Sequence, residues 1–124
     1  ATVDVRATSA AIEVLRSGGN AVDAAVAAAS VLGVTDPYSC GIGGGGFMLV
    51  YLAGEKRVVT LDHRETAPAG LERSRLYEGG APLPFDEFVT SGLSVGVPGS
   101  LMGWSEALRL YGSRRLADPR SHHL

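Results

Sequence analysis

Four stretches of the sequence hold residue types whose spacing could do chemistry. The first is "CGIGGGGFMLVY", residues 40–51, where Gly41, Gly43 and Gly46 satisfy G-x-G-x-x-G. That pattern cradles a dinucleotide pyrophosphate when it follows a strand and opens a helix, because the anion rests against the helix N-terminus. Here the order is inverted: helical periodicity precedes the glycines and a β-rich run follows them. The glycines are therefore expected to supply positive φ angles, to let backbone pack where no Cβ fits, or to present bare amides to an anion. The second stretch is "GLSVG", Gly92 to Gly96, a G-x-S-x-G match followed by Asp118 and then His122 or His123. This is the Ser, Asp, His order of an α/β-hydrolase. A nucleophile elbow runs straight into a helix, however, and Pro98 would block that helix's first turn. Ser94 then reads as an ordinary strand hydroxyl.

The third set is the histidines. His63, His122 and His123 have no carboxylate or histidine partner at i, i+4 on a helix, so the sequence predicts no metal site. The fourth stretch is "LDHRETAP". A β-rich run ends at Asp62 and at once delivers Arg64, with Pro68 fixing the exit. An arginine fork at a strand end can grip a carboxylate through two parallel charge-assisted hydrogen bonds. It can equally be spent on a structural salt bridge to Asp62 or Glu65. Adjacent residues of an extended chain point to opposite faces, so only alternate members of this cluster converge.

The elements that must position these residues follow from periodicity. "ATSAAIEVLRSGGN" reads as a helix with Ala11, Val14 and Leu15 on one face, Thr8 or Ser9 as cap and Gly18-Gly19 as stop. Asn20 caps a second helix, "AVDAAVAAASVLGV", whose smooth face is Val22, Ala25, Val26 and Ala29, with Asp23 in its first turn and "TDPY" as its end. "FMLVYL" and "RVVTLD", joined by "AGEK", read as an antiparallel hairpin. The continuous hydrophobicity from Phe47 to Leu52 predicts burial on both faces. His63 to Thr90 is expected to be mostly loop, with a helical turn near "LERSRLYEG", and "LSVGVP" is expected to form a short strand. "GSLMGWSEALRLYG" predicts a helix with Leu101, Trp104, Ala107, Leu108 and Tyr111 on one face and Gly112 as stop.

Composition narrows the function classes. A net charge of −2 with acids and bases interspersed offers no stripe for a nucleic-acid backbone and no polybasic membrane patch. The single cysteine, Cys40, excludes an internal disulfide. No apolar run reaches the ~18 residues of a membrane span. At 124 residues the chain is one small domain or a piece of a larger one.

Three segments together carry a family resemblance. "GGNAVDAAVAAASVLGVTDPYSCGIGGGGFMLVY", then "LDHRETAPAG", then "GLSVGVPGSLMGW" resemble, in order, the N-terminal part of the large subunit of the γ-glutamyltranspeptidase (glutathione hydrolase) family. The likeness runs from Ala7 to Gly112. It implies an α+β fold, a partial αββα sandwich of the N-terminal nucleophile hydrolase type, to which this chain gives helices and a central hairpin. It implies that Arg64, the arginine of R-E-x-A-P, binds the α-carboxylate of a γ-glutamyl donor such as glutathione. No cofactor and no metal are expected. Family members are precursors that cleave into two subunits, the nucleophile being a threonine at the new N-terminus of the small one. Thr2, Thr8, Thr35, Thr60, Thr66 and Thr90 are all internal, so no catalytic residue is expected in this chain. The implied whole is therefore a γ-glutamyl transferase or hydrolase whose small subunit is a required partner, with residues 1–124 an incomplete single domain. A related β-lactam (glutaryl) acylase and a non-catalytic relic are the alternatives. Residues 113–124 depart from the family pattern, keeping a trace of it at Leu116 to Asp118. The resemblance leaves the compartment open.

Overall fold

The computed structural model describes residues 1–113. Asp118, His122, His123 and all but the first residue of the expected tail lie outside the described residues.

Helix α1 (Val5–Arg16) begins at Asp4, whose carboxylate accepts the backbone N–H groups of Arg6 at 2.7 Å and Ala7 at 3.4 Å. This corrects the expected cap. Thr8 and Ser9 lie inside the helix, and the Thr8 hydroxyl accepts the Thr2 backbone N–H at 2.9 Å instead. A carboxylate in extended conformation is the better partner for the free amides of a first turn, and its charge suits the dipole. The helix stops at Gly18-Gly19 as expected, with Gly19 donating to the Val14 carbonyl at 2.9 Å.

Helix α2 (Ala21–Thr35) starts at Asn20 in a reciprocal capping box. The Asn20 side-chain oxygen accepts from Val22 and Asp23, and the Asp23 carboxylate accepts the Asn20 N–H at 2.7 Å. Val22 and Val26 are buried and Ala29 is half-buried, as the smooth face requires, but Ala25 is exposed beside the hairpin. Asp36 ends the helix, and Pro37–Cys40 adds one further turn, α3.

Strands β1 (Phe47–Leu52) and β2 (Arg57–Asp62) pair antiparallel in the expected hairpin, Phe47 opposite Asp62 and Leu52 opposite Arg57. Met48, Val50, Leu52, Val59 and Leu61 pack towards Val22 of α2 and Ala107 of α5 (Ser100–Tyr111). A second cluster joins Val26 to Trp104 and Leu108. The expectation of burial on both sheet faces is corrected. Phe47, Leu49, Tyr51 and Val58 are exposed, Leu49 to 71%, because α2 and α5 both lie on the other face and nothing among residues 1–113 covers this one.

The connection from β2 to α5 is more structured than expected. The helical turn expected near "LERSRLYEG" forms as a 3₁₀ turn at Arg73–Leu76, and the connection adds a two-residue hairpin of β3 (Tyr77–Glu78) and β4 (Ala81–Pro82) and helix α4 (Phe85–Thr90). The expected "LSVGVP" strand is instead a 3₁₀ turn at Gly92–Ser94, capped by the Ser91 hydroxyl, followed by a single bridge between Val97 and Thr66. Helix α5 ends at Gly112 as expected. Its predicted face needs one correction: Leu101 is 55% exposed, and Ser100 and Gly103 take the buried positions of the first turns. The whole is α+β, a small antiparallel hairpin backed by helices.

Candidate functional site

Arg64 leaves the end of β2 where two elements pack on the backbone of His63 and Arg64. The first is the glycine loop. His63 exchanges backbone hydrogen bonds with Gly46, donating at 2.9 Å and accepting at 3.3 Å, so the hairpin ladder runs one pair beyond β1 and β2. A Cβ on Gly45 would overlap the His63 carbonyl oxygen and crowd the backbone of Arg64 and Glu65. The second is the start of α5. The Gly44 carbonyl accepts the backbone N–H groups of Gly99 and Ser100, both at 3.0 Å, and a Cβ on Gly99 would overlap the same His63 oxygen.

These contacts answer the question posed by the glycine run. α2 and α3 precede it and β1 follows it, so the order of a nucleotide loop is absent. None of Gly41 to Gly46 has a positive φ. Close backbone approach is what Gly41 and Gly45 require, at Gly45 most of all.

His63 and Arg64 point opposite ways, as alternation predicts: His63 is buried and Arg64 exposed. The salt bridge held open for Arg64 does not form among the described residues. Asp62 turns back instead to accept the Arg64 backbone N–H at 3.1 Å. The guanidinium-bearing residue lines an open depression of about 450 Å³ with Gly43, Thr66, Leu71, Leu93 and Val95. Of the glycine loop, Gly43 borders the same depression.

Ser94 borders that depression but cannot serve as a nucleophile elbow. Its hydroxyl is spent on the carbonyls of Ser91 at 2.8 Å and Val89 at 3.2 Å, and a 3₁₀ turn rather than a helix surrounds it. No group of three or more His, Cys, Asp or Glu side chains among the described residues could hold a metal ion. No helix among them is long and apolar enough to cross a membrane. Sequence reasoning missed the role of His63 as the buried neighbour of Arg64. The signal was present in the glycines at 46, 99 and 103, all of which lie against it.

Comparison with known proteins decides the family. A model of the gamma-glutamyltranspeptidase family matches residues 7–119. The chain belongs to the gamma-glutamyltranspeptidase family. It corresponds to an N-terminal segment of that family. It is 49% identical over 117 residues to the glutathione hydrolase proenzyme of Bacillus subtilis subsp. natto, covering 94% of this chain and 20% of the relative. Among solved structures, the gamma-glutamyltranspeptidase of Pseudomonas nitroreducens complexed with L-DON superposes with a TM-score of 0.84 at 38% identity, covering 92% of this chain and 33% of that one. The Helicobacter pylori gamma-glutamyltranspeptidase superposes equally well, TM-score 0.84 at 36% identity, with 92% and 32% covered. The chain thus spans about a fifth of the curated relative's length and a third of each solved chain. These relatives do not favour the glutaryl acylase alternative.

Proposed function

We propose that this chain supplies the donor-binding arginine of a γ-glutamyl transferase or glutathione hydrolase. Arg64 holds the α-carboxylate of a γ-glutamyl donor such as glutathione. A threonine in polypeptide beyond this segment forms an ester with the γ-carbonyl as the amide C–N bond breaks, and the amine leaves with the hydroxyl's proton. Water or an amino acid then cleaves the ester. The observation that carries the reading is the guanidinium itself: exposed, unpaired among the described residues, and mounted on backbone held by the glycine loop and the start of α5.

The same reading extends to architecture. The hairpin forms part of one inner layer of an αββα sandwich, with α2 and α5 in the outer layer beside it. The exposed row of Phe47, Leu49, Tyr51 and Val58 receives a second sheet from the rest of the precursor, whose small subunit brings the threonine.

A chimera tests the function. Residues of this chain replace the matched segment of the Bacillus subtilis relative, and turnover is measured on γ-glutamyl and glutaryl amides. Preference for the γ-glutamyl donor supports the reading. Preference for the glutaryl donor, or a mature chimera with no turnover of either, overturns it.

A further inference from the structure

We infer that His63 is the positioning residue of the Arg64 carboxylate site, and that it acts by filling space rather than through its Nδ1 nitrogen. The inference rests on the carboxylate-holding reading of Arg64.

Three glycines from two elements shape the place where the imidazole sits. A Cβ on Gly103 would overlap the His63 side chain at Cγ, Cβ and Cδ2, so α5 lies directly against it. A Cβ on Gly46 would stand 3.4 Å from Cε1, so the glycine loop meets its edge. Gly99 packs on the carbonyl of the same residue, and both backbone groups of His63 are paired with Gly46. His63 is only 8% exposed. Each of these contacts fixes the residue immediately before Arg64, and none touches Arg64's side chain.

Alternation then sets direction. With His63 wedged inward, the next side chain must leave on the opposite side, towards the depression bordered by Gly43 and Leu71. If the ring is removed, the space against Gly103 and Gly46 is empty and the exit of β2 can rock into it. Arg64 keeps its charge but loses its aim.

The Nδ1 atom of His63 is buried and has no hydrogen-bond partner among the described residues. Towards the described residues Nδ1 contributes shape only. A phenyl ring should therefore do the same work, and slightly better, since no buried polar atom is left unsatisfied.

The test uses the mature chimera and two donors: a γ-glutamyl anilide, and the 4-aminobutyryl anilide that lacks the α-carboxylate. His63→Ala is expected to raise KM for the γ-glutamyl donor about tenfold with kcat held within about twofold. His63→Phe is expected to keep the parent KM. On the 4-aminobutyryl donor, and in an Arg64→Ala background, His63→Ala should change nothing further, because the orientation it protects is no longer used. Should His63→Ala fail to fold, His63→Val carries the same comparison.

An equal loss on both donors would reduce His63 to a structural residue and overturn the inference. So would a loss in His63→Phe as large as in His63→Ala. Because Arg64→Ala is measured beside them, the two readings fail separately. Unchanged KM in Arg64→Ala sinks the donor-binding role, whereas unchanged KM in His63→Ala alone sinks only this one.

Discussion

Asp23 and Ser113 stand 90 residues apart in sequence and meet through one carboxylate oxygen. Asp23 Oδ2 accepts the Ser113 backbone N–H at 3.1 Å and the Ser113 hydroxyl as well. The same oxygen closes the capping box on the Asn20 N–H, while the Asn20 side-chain amide donates to the Tyr111 carbonyl at 2.7 Å. A helix start is thereby tied to the end of α5, the helix whose opposite end packs on the Arg64 strand exit.

Loss of that clasp should be felt at both ends. Asp23→Ala removes the reciprocal half of the Asn20 capping box and the acceptor of both Ser113 donors, a cost of about 1–3 kcal/mol. Amide hydrogen exchange should speed up at Asn20 and at Ser113 together. Exchange that speeds up at only one of the two would show that the carboxylate does not couple them.

Two glycines of the G-x-G-x-x-G run and its neighbourhood should behave oppositely when given a methyl group. At Gly45 a Cβ overlaps the His63 carbonyl, and separating loop from strand costs about 1–3 kcal/mol. At Gly43 a Cβ meets nothing within 4 Å. Urea midpoints should therefore fall for Gly45→Ala and hold for Gly43→Ala; equal effects would mean the glycines serve something other than close approach.

Acid should loosen α1 in a defined window. Hydrogen bonds from the Arg6 side chain, and then from the Arg6 and Ala7 amides, lower the Asp4 carboxyl from 3.8 to about 2, against a smaller opposing effect of burial. A depressed folded pKa stabilises above the unfolded value and loses that contribution as protons return. The cap's protection of the α1 amides should be full above about pH 4 and fade towards pH 2. Exposure keeps the effect small. Asp4→Asn, which caps without titrating, should show no such fade.

How much of this was legible beforehand depended on whether the cue was local. The Asn20 cap, the hairpin between Phe47 and Asp62 and the Gly112 stop each rest on residues adjacent to the feature, and all three form as read. The α1 start was misplaced because two hydroxyls nearer the apolar run drew attention from Asp4, while Thr8 was already engaged by Thr2. "LSVGVP" has strand-like composition, yet Ser91 and Ser94 fold it into a turn through their own hydroxyls. Arg64 is proposed as the site residue because a strand end and a family motif coincide there. The inward role of His63 was not legible, since it depends on α5 returning 40 residues later.

The bare sheet face makes its own prediction. Leu49 and Tyr51 cost nothing to leave apolar if a second layer covers them in the complete protein. Leu49→Lys should improve the solubility of the 124-residue chain and impair maturation of the chimera. A chimera that matures normally with Leu49→Lys would place that face at the surface of the assembled enzyme.

The most direct test of the donor-binding role is a KM measurement on the mature chimera with Arg64→Ala. Two charge-assisted bonds to a carboxylate, at about 1.5–3 kcal/mol each, set the scale of the loss. KM for the γ-glutamyl donor should rise at least about tenfold, Arg64→Lys should recover only part of it, and the donor without an α-carboxylate should be unaffected. An unchanged KM for the γ-glutamyl donor, or an equal rise for both donors, would contradict the assignment of Arg64 to the substrate's carboxylate.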